Sequence, residues 1–95
     1  MRDYELVMII NPGVAEEDLA ANIDKVSEFI TARGGAVTEV NRWGKRKLAY
    51  PINHCREGNY VLTHFKLEPR LTAELEANLR ISENILRHLL VRLGD

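Results

Sequence analysis

The amino-acid sequence predicts an α+β sandwich: one four-stranded antiparallel sheet with two helices packed on a single face. Three observations carry that expectation. Four segments read as strands and two carry the apolar stripe of a helix. They follow one another in the order β-α-β-β-α-β. The two middle strands are separated by a short polar stretch, which makes them a hairpin linking two βαβ halves.

The first strand is Leu6 to Ile10, preceded by Tyr4 and ended by the breakers Asn11-Pro12-Gly13. Both parities are apolar, with Tyr4, Leu6, Met8 and Ile10 on one and Val7 and Ile9 on the other. That pattern suits a central strand covered on both sides. A helix follows over about 15–32, where Leu19, Ile23, Val26 and Ile30 recur at helical spacing. Glu16, Glu17 and Asp18 fill its first turn, where the helix dipole favours negative charge, and Arg33-Gly34-Gly35 closes it.

The second strand runs from Ala36 to Ile52 and is expected to be irregular near Trp43-Gly44. Leu48, Tyr50 and Ile52 share one parity; Lys45, Lys47 and Ala49 share the other. Pro51 has no amide proton for a ladder, so this strand belongs at a sheet edge or ends at the proline. Asn53 to Asn59 reads as a polar loop, and Tyr60 to Leu67 as the third strand. Pro69 opens a second helix, about 70–80, which buries Leu71, Leu75 and Leu79. Ser82-Glu83-Asn84 turns the chain into the fourth strand, Ile85 to Leu93.

Right-handed, un-knotted connections restrict this order to the ferredoxin-like β-α-β-β-α-β sandwich, with strand order 4-1-3-2. Strand one then lies in the centre and proline-bearing strand two at an edge. With 95 residues, the chain is expected to form one domain over 1–95, burying about 60–65% of the surface its unfolded form exposes.

Apolar residues make up 45% of the chain and charged residues 28%, an ordinary globular balance. The longest apolar run is Leu6 to Ile10, far short of the roughly 20 residues of a membrane span. No signal-peptide pattern follows Met1, and the one cysteine, Cys55, excludes an internal disulfide. A soluble cytoplasmic protein is expected. Its net charge is −1, yet the charge is segregated. Arg42, Lys45, Arg46, Lys47 and Arg56 lie in a stretch without one acid, while the first helix is acidic. Such a chain can present a basic face although its sum is close to zero.

In this fold both helices cover one side of the sheet. The other side receives Val7 and Ile9 from strand one, and Leu89 and Val91 from strand four. Four such side chains on adjacent strands point to a partner. Arg87 shares their parity, and Arg2, Arg80 and Arg92 lie at element ends, within reach of a polyanion. Lys45, Arg46 and Lys47 would contact phosphates, a mode of binding that weakens as salt rises. Trp43 beside them could stack on an unpaired base or pack over a strand end.

Enzyme chemistry does not appear. The chain has no phosphate-binding loop, no G-x-G-x-x-G after strand one and no G-x-S-x-G. His54, His64 and His88 are scattered, and the His54-Cys55 pair lacks a second ligand pair at zinc spacing. His88 shares the parity of Leu86 and Leu90, which suits a partly buried structural role. No catalytic residue, metal, cofactor or small-molecule substrate is expected. An RNA-recognition-motif-like domain would show stacking aromatics on the open face, where strand one instead offers Val7 and Ile9. A small-molecule regulatory domain, or an acylphosphatase-like enzyme, would need a pocket or an anion loop near strand one; Asn11-Pro12-Gly13 is a poor version of that loop.

Across its whole length the chain resembles the bacterial small-subunit ribosomal protein six family. "MRDYELVMIINP" is similar to that family's opening, "WGKRKLAYPINHCREGNYVL" to its most recognisable stretch, and "LRISENILRHLLVRL" to its final turn and strand. The resemblance implies a non-enzymatic component of the small ribosomal subunit. It further implies pairing with small-subunit ribosomal protein eighteen and joint binding to the central domain of small-subunit ribosomal RNA. Arg2, Tyr4, Lys45 to Lys47, Arg80 and Arg87 fall on matching positions and become candidate RNA or partner contacts. Some members carry an acidic tail modified by added glutamates; with Leu93-Gly94-Asp95 at its end, this chain is expected to lack that modification.

Overall fold

The computed structural model describes residues 1–94. Its elements are β1 (Arg2–Ile10), α1 (Glu16–Ala32), β2 (Ala36–Ile52), β3 (Cys55–Leu67), a 3-10 turn (Pro69–Leu71), α2 (Thr72–Arg80) and β4 (Ile85–Leu93). The strands form one antiparallel sheet in the order β2-β3-β1-β4, the expected order read from its other edge. Proline-bearing β2 is an edge strand, and doubly apolar β1 lies between β3 and β4.

Strand alternation divides the residues between the two sides of the sheet. Tyr4, Leu6, Met8 and Ile10 of β1 are buried, as are Val61, Phe65 and Leu67 of β3. They meet Leu19, Ile23, Val26 and Ile30 of α1 and Leu75 and Leu79 of α2. The Tyr4 and Phe65 rings stack within this core, with centroids 5.6 Å apart. The end of α1 is a two-bond glycine cap. Gly34 N donates to Thr31 O at 3.2 Å and Gly35 N to Ile30 O at 2.9 Å, with Gly34 at φ 82°.

The hairpin differs from expectation. The connection is two residues long, Asn53 and His54, with φ 48° and 66°. Both lie in the left-handed region, as a primed hairpin turn requires. β3 therefore starts at Cys55 rather than Tyr60, and residues 55–59 belong to the ladder. The sequence reading missed this stretch because it is polar or small throughout: Arg56 and Glu57 face water, while Gly58 and Asn59 are buried without adding an apolar alternation. The hairpin projects past the end of β1, since Ile10 pairs with Asn59 and Asn59 with Lys45.

Candidate partner and nucleic-acid interface

The helix-free face is set by the odd positions of β1 and the even positions of β3. Ile9 lies between Tyr60 and Arg87, Val7 between Leu62 and Leu89, and Glu5 between His64 and Val91. Ile9 and Tyr60, Val7, Leu62 and Leu89, and Val91 form an apolar patch on three adjacent strands, bordered by Arg87. Leu89 is 57% and Val91 37% exposed, while Val7 and Ile9 are half-buried among their neighbours. Covering such a patch gains about 25 cal/mol for each Å² removed from water, so a partner on this face is favoured.

Away from the hairpin, the same face turns polar. His64 Nε2 lies 3.0 Å from Glu5 Oε1, His64 Nδ1 lies 3.9 Å from Glu39 Oε1, and Lys66 Nζ lies 3.9 Å from Asp3 Oδ1. The open face is thus apolar toward the hairpin and charged at its other end.

β2 shifts register between Arg42 and Gly44, where Gly44 takes φ 79°. This bulge sets the Trp43 ring on Tyr60, with centroids 6.2 Å apart and planes 13° from parallel. Trp43 remains 43% exposed. Lys45, Arg46 and Lys47 follow as exposed residues, and among the described residues none has an acid within ion-pair distance. Arg42 differs, because its Nη2 is 2.6 Å from Glu16 Oε1 in the first turn of α1. A surface pair of this kind contributes about 0–1 kcal/mol; it ties the root of the hairpin to the helix and removes Arg42 from the free cations.

Arg87 Nη1 donates to the Tyr50 hydroxyl, so the hairpin that leaves the β2 edge reaches a residue of β4 at the opposite edge. Trp43, Lys45 to Lys47 and Arg87 are thereby gathered at one end of the sheet. Arg80 lies at the same end, because Ser82 to Asn84 lead from α2 to an Asn11 N to Asn84 O bond of 2.8 Å; it is on the helix side. Arg2 pairs in register with Leu67 and Arg92 with Tyr4, at the far end of β1. At about 3.3 Å per residue, Arg2 stands some 26 Å from Ile10 along the strand. The structure does not bring Arg2 and Arg92 to the hairpin cations.

Tyr4 is a correction. It is 5% exposed and stacked on Phe65, so it is a core residue without a ring surface to offer RNA. Sequence reasoning also missed Tyr60, Leu62 and Tyr50. Parity along β3 carries the signal for the first two: Val61, Thr63, Phe65 and Leu67 point inward, so Tyr60 and Leu62 face out. The open face consequently carries an aromatic pair, Trp43 on Tyr60, which β1 alone did not suggest. His88 is half-buried with its Nε2 3.2 Å from Glu76 Oε1, the structural placement expected for it. Among the described residues, no group of three or more His, Cys, Asp or Glu side chains could hold a metal ion, and no helix is long and apolar enough to cross a membrane.

The family model described as Ribosomal protein S6 matches residues 3–92. The chain belongs to the ribosomal protein S6 family. Small ribosomal subunit protein bS6 of Desulforamulus reducens is 44% identical over 95 residues, covering 100% of both chains. That of Clostridium novyi is 46% identical over 91 residues, covering 96% of each. The crystal structure of 30S ribosomal protein S6 from Thermotoga maritima matches with a TM-score of 0.90 at 35% identity, covering 96% of this chain and 86% of that one. The ferredoxin-like sandwich is therefore the ribosomal protein S6 fold. Membership also places the chain in its class: a non-enzymatic protein of the small ribosomal subunit, hence of the cytoplasm.

Proposed function

We propose that this chain binds the central domain of small-subunit ribosomal RNA cooperatively with small-subunit ribosomal protein eighteen, residues 1–95 acting as a single domain. One observation carries the reading: the apolar rows of the open face, half-buried on β1 and exposed at Leu89 and Val91, end beside Lys45, Arg46 and Lys47, which among the described residues have no acid within ion-pair distance. Val7, Ile9, Leu89 and Val91, with Leu62 beside Val7 on β3, are the surface that the protein partner covers. Lys45, Arg46 and Lys47 meet phosphates, and the free face of Trp43 meets a base. Arg87 stands on the border between the two surfaces. Arg80 reaches RNA from the helix side, and Arg2 and Arg92 reach it where it follows the sheet to the far end.

Three neighbouring cations neutralise too few phosphates for tight binding, and an apolar patch has no affinity for a polyanion. Each surface gains from the other. The partner fixes the sheet face against RNA and adds its own contacts, so coupling of about 1–3 kcal/mol is expected, a gain of roughly 5- to 150-fold in affinity. The test is the affinity for a central-domain RNA fragment with and without the partner protein at fixed salt. Equal affinities would overturn the cooperative reading.

A further inference from the structure

The side of the molecule opposite the open face carries a feature that this function leaves unused: a cleft of about 430 Å³ between α1 and α2. That volume falls within the range of about 300–1,000 Å³ typical of small-molecule sites. Val26, Phe29, Leu75 and Leu79 give it an apolar wall, of which Val26, Leu75 and Leu79 are core residues. No acidic side chain lines it. Lys25 does, and among the described residues it has no ion-pair partner.

Asn22 distinguishes this cleft from an ordinary groove between helices. The residue is 9% exposed and lines the cleft. Its Nδ2 donates to Asp18 O at 3.0 Å within α1. Its Oδ1 has no protein partner among the described residues, and it is not sealed from solvent either. Asn22 therefore brings to the cleft lining an amide oxygen that no protein donor occupies. It presents an acceptor to whatever lies there, and a donor in the occupant would satisfy it. Ser82, in the turn after α2, belongs to the same lining and carries a hydroxyl.

We infer that this cleft is a binding site for a small amphipathic carboxylate bearing an amide N–H, the chemistry of an N-acylated apolar amino acid. The carboxylate pairs with Lys25, the amide N–H donates to Asn22 Oδ1, and the apolar side chain lies on Phe29 and Leu79. A free ammonium in place of the amide is disfavoured by Lys25. Because the cleft lies on the helix side, an occupant leaves the open face and the hairpin cations clear.

The test is a titration of the full chain with N-acetyl-leucine, followed by amide and side-chain NMR shifts. The site predicts saturable shifts confined to Asn22, Val26, Phe29 and Leu79, with a dissociation constant of about 1 mM or tighter. N-acetyl-leucinamide, which lacks the carboxylate, and a Lys25→Gln variant each weaken binding by about threefold to fivefold, the contribution of one partly exposed ion pair. Lys25 is exposed, so its variant keeps the fold, which an unchanged spectrum away from the cleft verifies. Shifts that fail to saturate, that map to the open face, or that show the amide and Lys25→Gln binding as tightly as N-acetyl-leucine binds the unsubstituted chain would overturn the inference.

Discussion

Arg87 on β4 donates a hydrogen bond to the hydroxyl of Tyr50 on the β2–β3 hairpin, joining opposite edges of the sheet across 37 positions of sequence. The hairpin carries Lys45, Arg46 and Lys47 and projects beyond the end of β1, so little else holds it over the face. Gly58 makes the approach possible. A Cβ there would collide with Ile9 Cγ2 and come within 3.7 Å of Leu48 Cδ2.

Tyr50→Phe removes the acceptor and leaves the ring. Tyr50 is 57% exposed, so the bond contributes at the low end of about 0.5–1.5 kcal/mol, and the melting temperature falls by no more than a few degrees. The local effect is larger: amides of residues 45–57 exchange faster because the tip is untethered. RNA affinity in the presence of the partner drops with it. Hairpin exchange rates equal to those of the unsubstituted chain would mean that Tyr50 does not hold the arch.

Reversing charge at Lys45→Glu together with Arg46→Glu separates phosphate contact from fold. Both residues are exposed and neither has an ion pair to lose, so far-UV circular dichroism and melting stay close to those of the parent. If each contacts one phosphate through single-stranded or duplex RNA, the slope of log affinity against log salt shrinks by about 1.4–1.8. An unchanged slope would place the phosphate contacts on other residues.

Much of this architecture was legible in the sequence because burial writes a pattern. Pro51 marked an edge strand, and the doubly apolar β1 marked a central one. Val7 and Ile9 were assigned to the open face by parity alone, and the register places them there. What stayed hidden lies where burial imposes nothing. The ladder of 55–59 looked like a loop because its residues are polar or small, even where Gly58 and Asn59 are buried. The side taken by Trp43 depends on a bulge, and one inserted residue reverses parity. The reach of Tyr50 to Arg87 depends on hairpin curvature, which no local spacing records. Tyr4 shows the converse error: its position matched a family motif, but its alternation with Leu6 and Met8 already marked it as core.

The two glycines after and beyond α1 make different demands. A Cβ on Gly35 would run into the Lys66 backbone carbonyl and lie 2.8 Å from Ile30 Cγ2, and neither the carbonyl nor the helix end has room to move. Gly44 has open space around it but φ 79°. Gly35→Ala should cost about 2–3 kcal/mol or more through overpacking, whereas Gly44→Ala should cost about 1–2 kcal/mol through backbone strain alone. Urea titration of both variants decides the order. A larger loss at Gly44 would mean that the α1–β3 contact is looser than the close approach of Gly35 to Lys66 implies.

Leu6 and Leu89 lie on adjacent strands but on opposite sides of the sheet, and they separate folding from docking. Leu6 is fully buried, so Leu6→Ala opens a core cavity and costs about 2–5 kcal/mol of stability. Leu89 is 57% exposed in the isolated chain, and Leu89→Asp alters its stability by about 0.5 kcal/mol or less. Once a partner covers the patch, the same aspartate is a carboxylate between Val7 and solvent that has been expelled. The nearest cation on its own strand's open face, Arg87, is already engaged by Tyr50. Burying such a group costs several kcal/mol, so affinity for the partner protein should fall by about 100-fold or more. RNA affinity measured with the partner should then drop to its value without it, although RNA contacts are untouched. If Leu89→Asp binds the partner as well as the parent does, the partner docks elsewhere, and the exposed leucine has some other explanation.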